Sequence, residues 1–482
     1  MAAPRRNTEL GLIVMAGLVT VAAYVLGELG QTSALPTNII PFSVIMLGLL
    51  LVPHLVARVM VPGADSVLLP LAALLNGVGY VFIARINDDL AGLQATWTAL
   101  GVAAFAITLL ALRRVRDLQR YQWTFALAGI GLLLLPIVPG LGFAPNDARL
   151  WIRVGTITFQ PGEVAKICLA LFLAAYLTDR REVIAAGTLR IGRLSLPEPR
   201  DLGPVLVAWG ASLMVMIFEK DLGSSLLFFT LFVVMLWVAT EKGRFLVIGA
   251  GLFGIGAYGA YQSFQHVRTR VATWLDPWSR VQGKGYQLVQ SSFAFAWGGV
   301  TGTGIGLGDP TRVPAVQTDF ILAAIGEELG LVGATAVLIS YILMIGAGLR
   351  IALATERTFD KLLATGLTTI LGVQAFVIIG GVVRLVPLTG VTLPFVSYGG
   401  SSLLANYVLI AILMRISHDS AVRRCEVAEP PTRIPRRVKR EAARKAAHRE
   451  EVAGDLTVID ARPSAIAVDT QPSDVAEWND EQ

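Results

Sequence analysis

The chain has 482 residues, 54% hydrophobic and 16% charged, with mean hydropathy +0.63 and a formal net charge of +5. A soluble domain carries about 25% charged residues, and many apolar runs here exceed the ~18 residues that cross a bilayer. Composition therefore excludes a soluble enzyme, a disordered chain and a nucleic-acid binder. Cys168 and Cys425 form no disulfide framework, and His54, His266, His418 and His448 show no metal-ligand spacing.

Twelve apolar segments follow in chain order: 10–27, 39–60, 67–86, 94–112, 121–141, 161–178, 203–218, 221–240, 245–262, 319–349, 361–385 and 390–415. The first follows Arg5 and Arg6 and looks like a signal peptide, but it runs on into further spans and reads as a retained helix. With the N-terminus in the cytoplasm, inner loops and both terminal segments carry 29 basic residues against 10 in the outer loops. The positive-inside rule then places both termini in the cytoplasm. Five of the ten outer cations, Arg268, Arg270, Arg280, Lys284 and Arg312, share one segment, 263–318, whose only carboxylates are Asp276 and Asp309. Cations placed against the topology signal suggest an anionic ligand. Beyond 415, a basic stretch at 423–449 precedes a run with nine acidic residues. That tail is too polar to build a core, so disorder is expected over 416–482, with the basic stretch drawn to anionic membrane lipid.

Ionisable groups at membrane depth are functional suspects. QPGEVAK at 160–166 opens the sixth span, with Pro161 suited to a first helical turn and Glu163 and Lys166 three apart on one helix face. FEKDLGSS at 218–225 separates the seventh and eighth spans, where a short outer turn explains it equally well. DFILAAIGEELG at 319–330 carries Glu327 and Glu328 side by side, so at least one must meet a polar cavity or a cation. GTGIGLG at 302–308 imitates a dinucleotide fingerprint but lacks the strand and helix that give one meaning; its backbone N–H groups could still meet a phosphate. PLTGVTLPFVSYGGSS at 387–402 implies irregular backbone lining a cavity.

That last stretch resembles the signature of the SEDS family (shape, elongation, division and sporulation), at Pro387, Gly390, Pro394, Ser397, Gly399 and Gly400. RLWIRVGTITFQPGEVAK at 149–166, KDLGSS at 220–225, WLDP at 274–277 and the run from GTGIGLG to TDFILAAIGEELGLVG at 302–333 match the family in order. The resemblance covers roughly residues 121–415 and is better to the elongation (RodA-like) branch than to the division (FtsW-like) branch. It implies an all-α polytopic membrane protein with a family core of ten spans plus an extra N-terminal pair. The regions would be an N-terminal transmembrane part at 1–120, a glycosyltransferase core at 121–415 with a large outer loop before the last three helices, and the tail. Two departures stand out: Arg149 is separated from Trp151 by Leu150, and the family's usual Asn upstream of the Pro-Gly signature is Ile378.

The resemblance further implies a peptidoglycan glycosyltransferase that polymerises lipid II on the outer face of the cytoplasmic membrane, beside a class B penicillin-binding protein. Such a reaction inverts the donor carbon, which needs one base, whereas retention needs a second carboxylate about 5 Å away. Asp276, in WLDP, is the expected base. Arg268, Arg270, Arg280 and Lys284 are the expected partners of the leaving pyrophosphate, a task that a divalent cation (Mg or Mn) could share. Trp151 and Trp274 could pack against sugar or polyprenyl, and Glu163 and Lys166 would hold the cavity and the substrate. The alternatives are a lipid II flippase, for which repeated halves with a midplane site would speak, and a non-catalytic scaffold, which would not need Asp276.

Overall fold

The computed structural model describes residues 3–428, apart from 144–149, 156, 188, 192–193, 197 and 215–220, together with Arg444. The chain begins with α1 (Ala3–Thr32), α2 (Ile39–Met60), α3 (Leu68–Ile86), α4 (Asp88–Ala111) and α5 (Gln122–Leu134). A three-stranded antiparallel sheet follows, of β1 (Gly142–Phe143), β2 (Trp151–Val154) and β3 (Ile157–Phe159), and leads into α6 (Pro161–Ala186). The hairpin of β4 (Leu189–Ile191) and β5 (Leu194–Leu196) precedes α7 (Pro199–Met214), α8 (Leu222–Thr240) and α9 (Arg244–Ser263). Then come α10 (Gln265–Leu275), α11 (Tyr286–Gly298), α12 (Ile321–Ala354), α13 (Thr358–Val382) and α14 (Gly400–Ala428).

Among the described residues, ten helices are long and apolar enough to cross a membrane. The fold is an all-α polytopic membrane protein, with small sheets confined to connections. Two of the twelve expected spans are represented by shorter helices, α5 with 13 residues and α7 with 16. Pro136, just after α5, removes a donor and stops regular helix. Segment 263–318, expected as one loop, contains α10 and α11. The last helix starts at Gly400 and not at 390, because Gly390 (φ +81°) and Phe395 (φ +68°) lie in the left-handed region. It continues to Ala428, past residue 416 where the tail was expected to begin. Asp419 pairs with Arg415 one turn earlier, and Arg423 reaches Asp360 at the start of α13. Residues 429–443 and 445–482 of that tail lie outside the described residues.

Helix ends follow from local sequence. Pro161 occupies the first turn of α6, where its missing N–H is harmless, and Glu163 adds a carboxylate to the same turn. Asp221 caps α8 by accepting from the N–H groups of Gly223 and Ser224. Helices α3, α6, α13 and α14 are buried over most of their length, while α9 is mostly exposed.

Helix α12 is broken at Gly330 (φ +64°, ψ −163°). A break strands the carbonyls of Glu327 and Glu328 and the N–H groups of Leu331 and Val332, which an unbroken helix would pair with each other. Residues 299–304 supply all four partners. Thr303 and Gly304 donate to the carbonyls of Glu327 and Glu328 (3.0 Å each), while Leu331 and Val332 donate to those of Gly299 and Val300 (2.9 and 3.2 Å). A Cβ on Gly330 would stand 2.3 Å from the Gly302 nitrogen and 2.4 Å from the Val300 oxygen, so only glycine permits this approach. The carboxylates complete the junction. Glu327 accepts from Asp309 N (2.8 Å), and Glu328 accepts from Gly306 N (3.0 Å) and pairs with Arg85 of α3 at 2.6 Å. Of the polar cavity or cation expected for at least one glutamate, Glu328 meets a cation, Arg85, whose guanidinium also donates to the Gly308 carbonyl. GTGIGLG is a splice into a helix, and its N–H groups at 303, 304 and 306 are already occupied.

Glu328→Gln would leave Arg85 buried without its counter-charge. The expected loss is about 3–5 kcal/mol, read as a lower unfolding temperature of the detergent-purified chain. Adding Arg85→Met should restore most of it. An unchanged unfolding temperature for the single variant would show that the pair does not hold this junction.

Candidate active site

Helix α10 ends at Leu275 because Pro277 cannot continue it, leaving Asp276 as its C-terminal cap residue. The Asp276 carboxylate is exposed, and its Oδ1 accepts from the backbone N–H of Ser279 (3.2 Å). Bonds from the Ser279 hydroxyl and N–H, helped by the Arg280 charge, hold this carboxyl below the usual aspartate range. The chain then turns tightly, with Gly283 and Gly285 both donating to the Arg280 carbonyl. This turn forms a cavity of about 550 Å³ lined by Thr269, Trp278, Ser279, Arg280, Val281, Gln282, Gly283 and Lys284. Both Arg280 and Lys284 are exposed there.

The other two expected cations lie differently. Arg268 turns back to donate to the carbonyls of Tyr261 and Gln262, which end α9; a cation there complements the helix C-terminus. Arg270 is half-buried and donates to the carbonyls of Thr389 (2.7 Å) and Leu388 (3.3 Å). Trp274 donates its indole N–H to Arg384 O (3.0 Å), and Arg384 returns a bond to Trp274 O. Arg268 and Arg270 thus fix α9 and α10, while Arg280 and Lys284 line the cavity. Arg270 and Trp274 staple the helix that ends in Asp276 onto residues 384–389.

Those residues open the signature stretch, which is pinned along its length. Gly390 is set by its backbone (φ +81°), and the space beside it faces Asp319 and Arg270, which a Cβ would meet at ordinary contact distance (3.7 Å from Asp319 Oδ2 and 4.0 Å from Arg270 Nη2). The Pro394 carbonyl accepts from Tyr341 OH. Ser397 Oγ donates to Thr318 O and accepts from Leu393 N, and Tyr398 N donates to Gln317 O (2.8 Å). At Gly400 a Cβ would fall 2.0 Å from the Trp97 indole of α4.

Glu163 and Lys166 form the buried pair expected from their spacing, at 2.7 Å. Lys166 Nζ also donates to Gln374 Oε1 (2.8 Å), and Gln374 Nε2 donates to Thr392 O (2.9 Å). Gln374 was not singled out from sequence, although a lone amide in an apolar helix is the signal that would have found it. It lies one turn before Ile378, where the family's amide was missed. Trp151 sits on β2 opposite Phe143, at the entry to α6, while Arg149 lies outside the described residues. Among the described residues no three of His, Cys, Asp and Glu gather as metal ligands. At Asp276 the donor set is one carboxylate among cations, a poor fit to a protein-built metal site.

The family model of the FtsW/RodA/SpoVE cell cycle proteins matches residues 67–422. A Mycobacterium tuberculosis protein named peptidoglycan glycosyltransferase RodA is 47% identical over 427 residues, 86% of this chain and 91% of that protein. A probable peptidoglycan glycosyltransferase FtsW of Geobacter metallireducens is 32% identical over 70% of this chain and 85% of its own length. Two solved structures are similar, each covering 74% of this chain. One is a peptidoglycan synthase complex that coordinates polymerization and crosslinking (TM-score 0.62, 27% identity, 98% of that chain). The other is the rod shape determining protein RodA of Thermus thermophilus (TM-score 0.52, 26% identity, 97% of that chain). Helices α1 and α2 precede the matched region. The chain belongs to the FtsW/RodA/SpoVE family and is a multi-pass membrane protein.

Proposed function

We propose that this chain is a peptidoglycan glycosyltransferase that joins lipid II units into glycan strands on the outer face of the cytoplasmic membrane, in the service of cell elongation and shape. The observation that carries this reading is the exposed carboxylate of Asp276, bonded to Ser279, which lines a cavity together with Arg280 and Lys284. That is the inventory of an inverting transfer from a pyrophosphate. The acceptor GlcNAc 4-hydroxyl attacks the anomeric carbon of the donor MurNAc, forming the new C–O bond. The bond from that carbon to the phosphate oxygen breaks, and its electron pair leaves with undecaprenyl pyrophosphate. Asp276 takes the hydroxyl proton, and Arg280 and Lys284 meet the charge that develops on the leaving group. Arg270 and Trp274 then act as positioning residues for Asp276, not as substrate ligands. The buried Glu163–Lys166–Gln374 chain holds the signature loop at the Thr392 carbonyl.

The higher identity to a protein named RodA than to one named FtsW supports the elongation role. A class B penicillin-binding protein as partner is supported by the similarity to a synthase complex that couples polymerization to crosslinking. The basic asymmetry supports cytoplasmic termini and an outer segment 263–318.

Asp276→Asn should insert and fold normally yet lose about 10²–10⁴-fold in polymerisation of purified lipid II. Near-normal polymerisation would refute the base assignment. The acidic limb of kcat/KM, which reports the free enzyme, should lie below the ordinary aspartate range. A base must be deprotonated, and Asp276 stays so until the pH falls through its depressed pKa. The limb of kcat should lie higher, because bound pyrophosphate disfavours the carboxylate.

Glu163→Gln leaves Lys166 buried and unpaired, which should lower stability by about 3–5 kcal/mol. Adding Lys166→Met should restore protein level without restoring activity. Recovery of both would reduce the pair to a structural role.

A cysteine at Ser279 should react with a membrane-impermeant maleimide in intact cells. Labelling only after permeabilisation would overturn the proposed topology.

A further inference from the structure

A row of aromatic side chains runs on from the cavity and has no part in the chemistry above. Trp278, which lines the cavity, meets Phe293 edge-on with ring centroids 5.7 Å apart. Phe293 stacks on Trp297 at 6.0 Å, and the Arg312 guanidinium lies 5.0 Å over the Trp297 ring. The three rings are 50, 39 and 49% exposed. Phe293 and Trp297 stand one turn apart on α11, while Val289 and Ala294 on the same helix are buried. Arg312 is held by Asp309 at 2.8 Å, and Thr311 bonds the same carboxylate. Those two bonds keep the Asp309 carboxyl below its usual range, so the ion pair persists at neutral pH.

We propose that this row is a saccharide-binding subsite that holds the growing glycan strand as it leaves the cavity; the inference rests on the polymerase reading above. A pyranose ring presents flat apolar C–H faces and a rim of hydroxyls. Half-exposed aromatic faces match the first, and the Arg312–Asp309–Thr311 cluster offers donors and acceptors to the second. The occupant is a sugar polymer and not the polyprenyl tail, because a hydrocarbon chain has nothing to exchange with a fixed ion pair at the end of the row. Nor is the arrangement that of an interfacial aromatic belt, which anchors rings at the headgroup level around the protein. Here the rings touch in sequence and begin at the cavity. A strand gripped beside the site is kept at high effective concentration between additions, so the subsite sets how far a strand grows before release.

The test uses the detergent-purified full chain. A soluble, lipid-free glycan fragment of several GlcNAc–MurNAc repeats is titrated in by calorimetry, and strands made from lipid II are sized at equal lipid II consumption. The wild type should bind the fragment. Phe293→Ala and Trp297→Ala should weaken that binding severalfold and shorten the strands, and Trp297→Phe should restore both. The inference is overturned if the wild type does not bind the fragment, or if the alanine variants bind it as the wild type does. It is also overturned if the strand defect appears only with long-prenyl lipid II, which would make the row a lipid-tail site. If the chain makes no strands from lipid II yet binds the fragment through Trp297, the polymerase reading falls and the saccharide subsite stands.

Discussion

An apolar helix cannot be interrupted within a membrane unless each backbone group released by the break finds a new partner. At Gly330 that requirement is met by exchange, since residues 299–304 take the places of the missing helical neighbours on both sides of the break. The exchange anchors the start of the segment that leads into α12. Residues 317 and 318, just before α12, accept from Tyr398 N and Ser397 Oγ of the signature loop. The start of that loop accepts from Arg270, and Trp274 bonds to Arg384 just before it. A rule about hydrogen bonding in hydrocarbon thus reaches, through three sets of backbone contacts, to the carboxylate at the end of α10.

The same constraint explains the division of labour among the cations. Arg268 and Arg270 each bond two main-chain carbonyls that are left over where helices end or the chain is irregular. Arg85 does this for Gly308 while neutralising Glu328. A guanidinium suits such places because its planar fork serves two acceptors while keeping its charge. Arg280 and Lys284 stand instead on a tight exposed turn, where they can meet a ligand.

The spans were legible because apolar runs of that length have one stable outcome in lipid. The limits of α2, α3, α8 and α9 lie within a residue of the apolar runs themselves. Segment 263–318 hid its helices because α10 carries Arg268 and Arg270 among few apolar residues and α11 is only 13 residues long. The Glu163–Lys166 pair was readable from a spacing of three on a helix. Its link to Gln374 was not, since the two lie 208 positions apart. GTGIGLG misled for the same reason: its partner is a break in a helix more than twenty residues further on, and no local pattern announces it. Asp276 could be placed by motif, but only the structure separates the cations that line the neighbouring cavity from those that hold its helix.

The exposure of Asp276 bears on how a transferase avoids becoming a hydrolase. A carboxylate held below its usual pKa by Ser279 and Arg280 is a weak base toward water. On the proposed reading, a donor entering the cavity brings its pyrophosphate charge and displaces solvent, and both changes disfavour the carboxylate form. The base therefore gains strength only when the donor is in place and water has been excluded. The first hydroxyl it meets in that state is the acceptor's. A permanently buried, high-pKa carboxylate would lack this ordering, since its basicity would not depend on the substrate. An exposed aspartate on a rigidly stapled helix combines a fixed position with a basicity that the substrate sets.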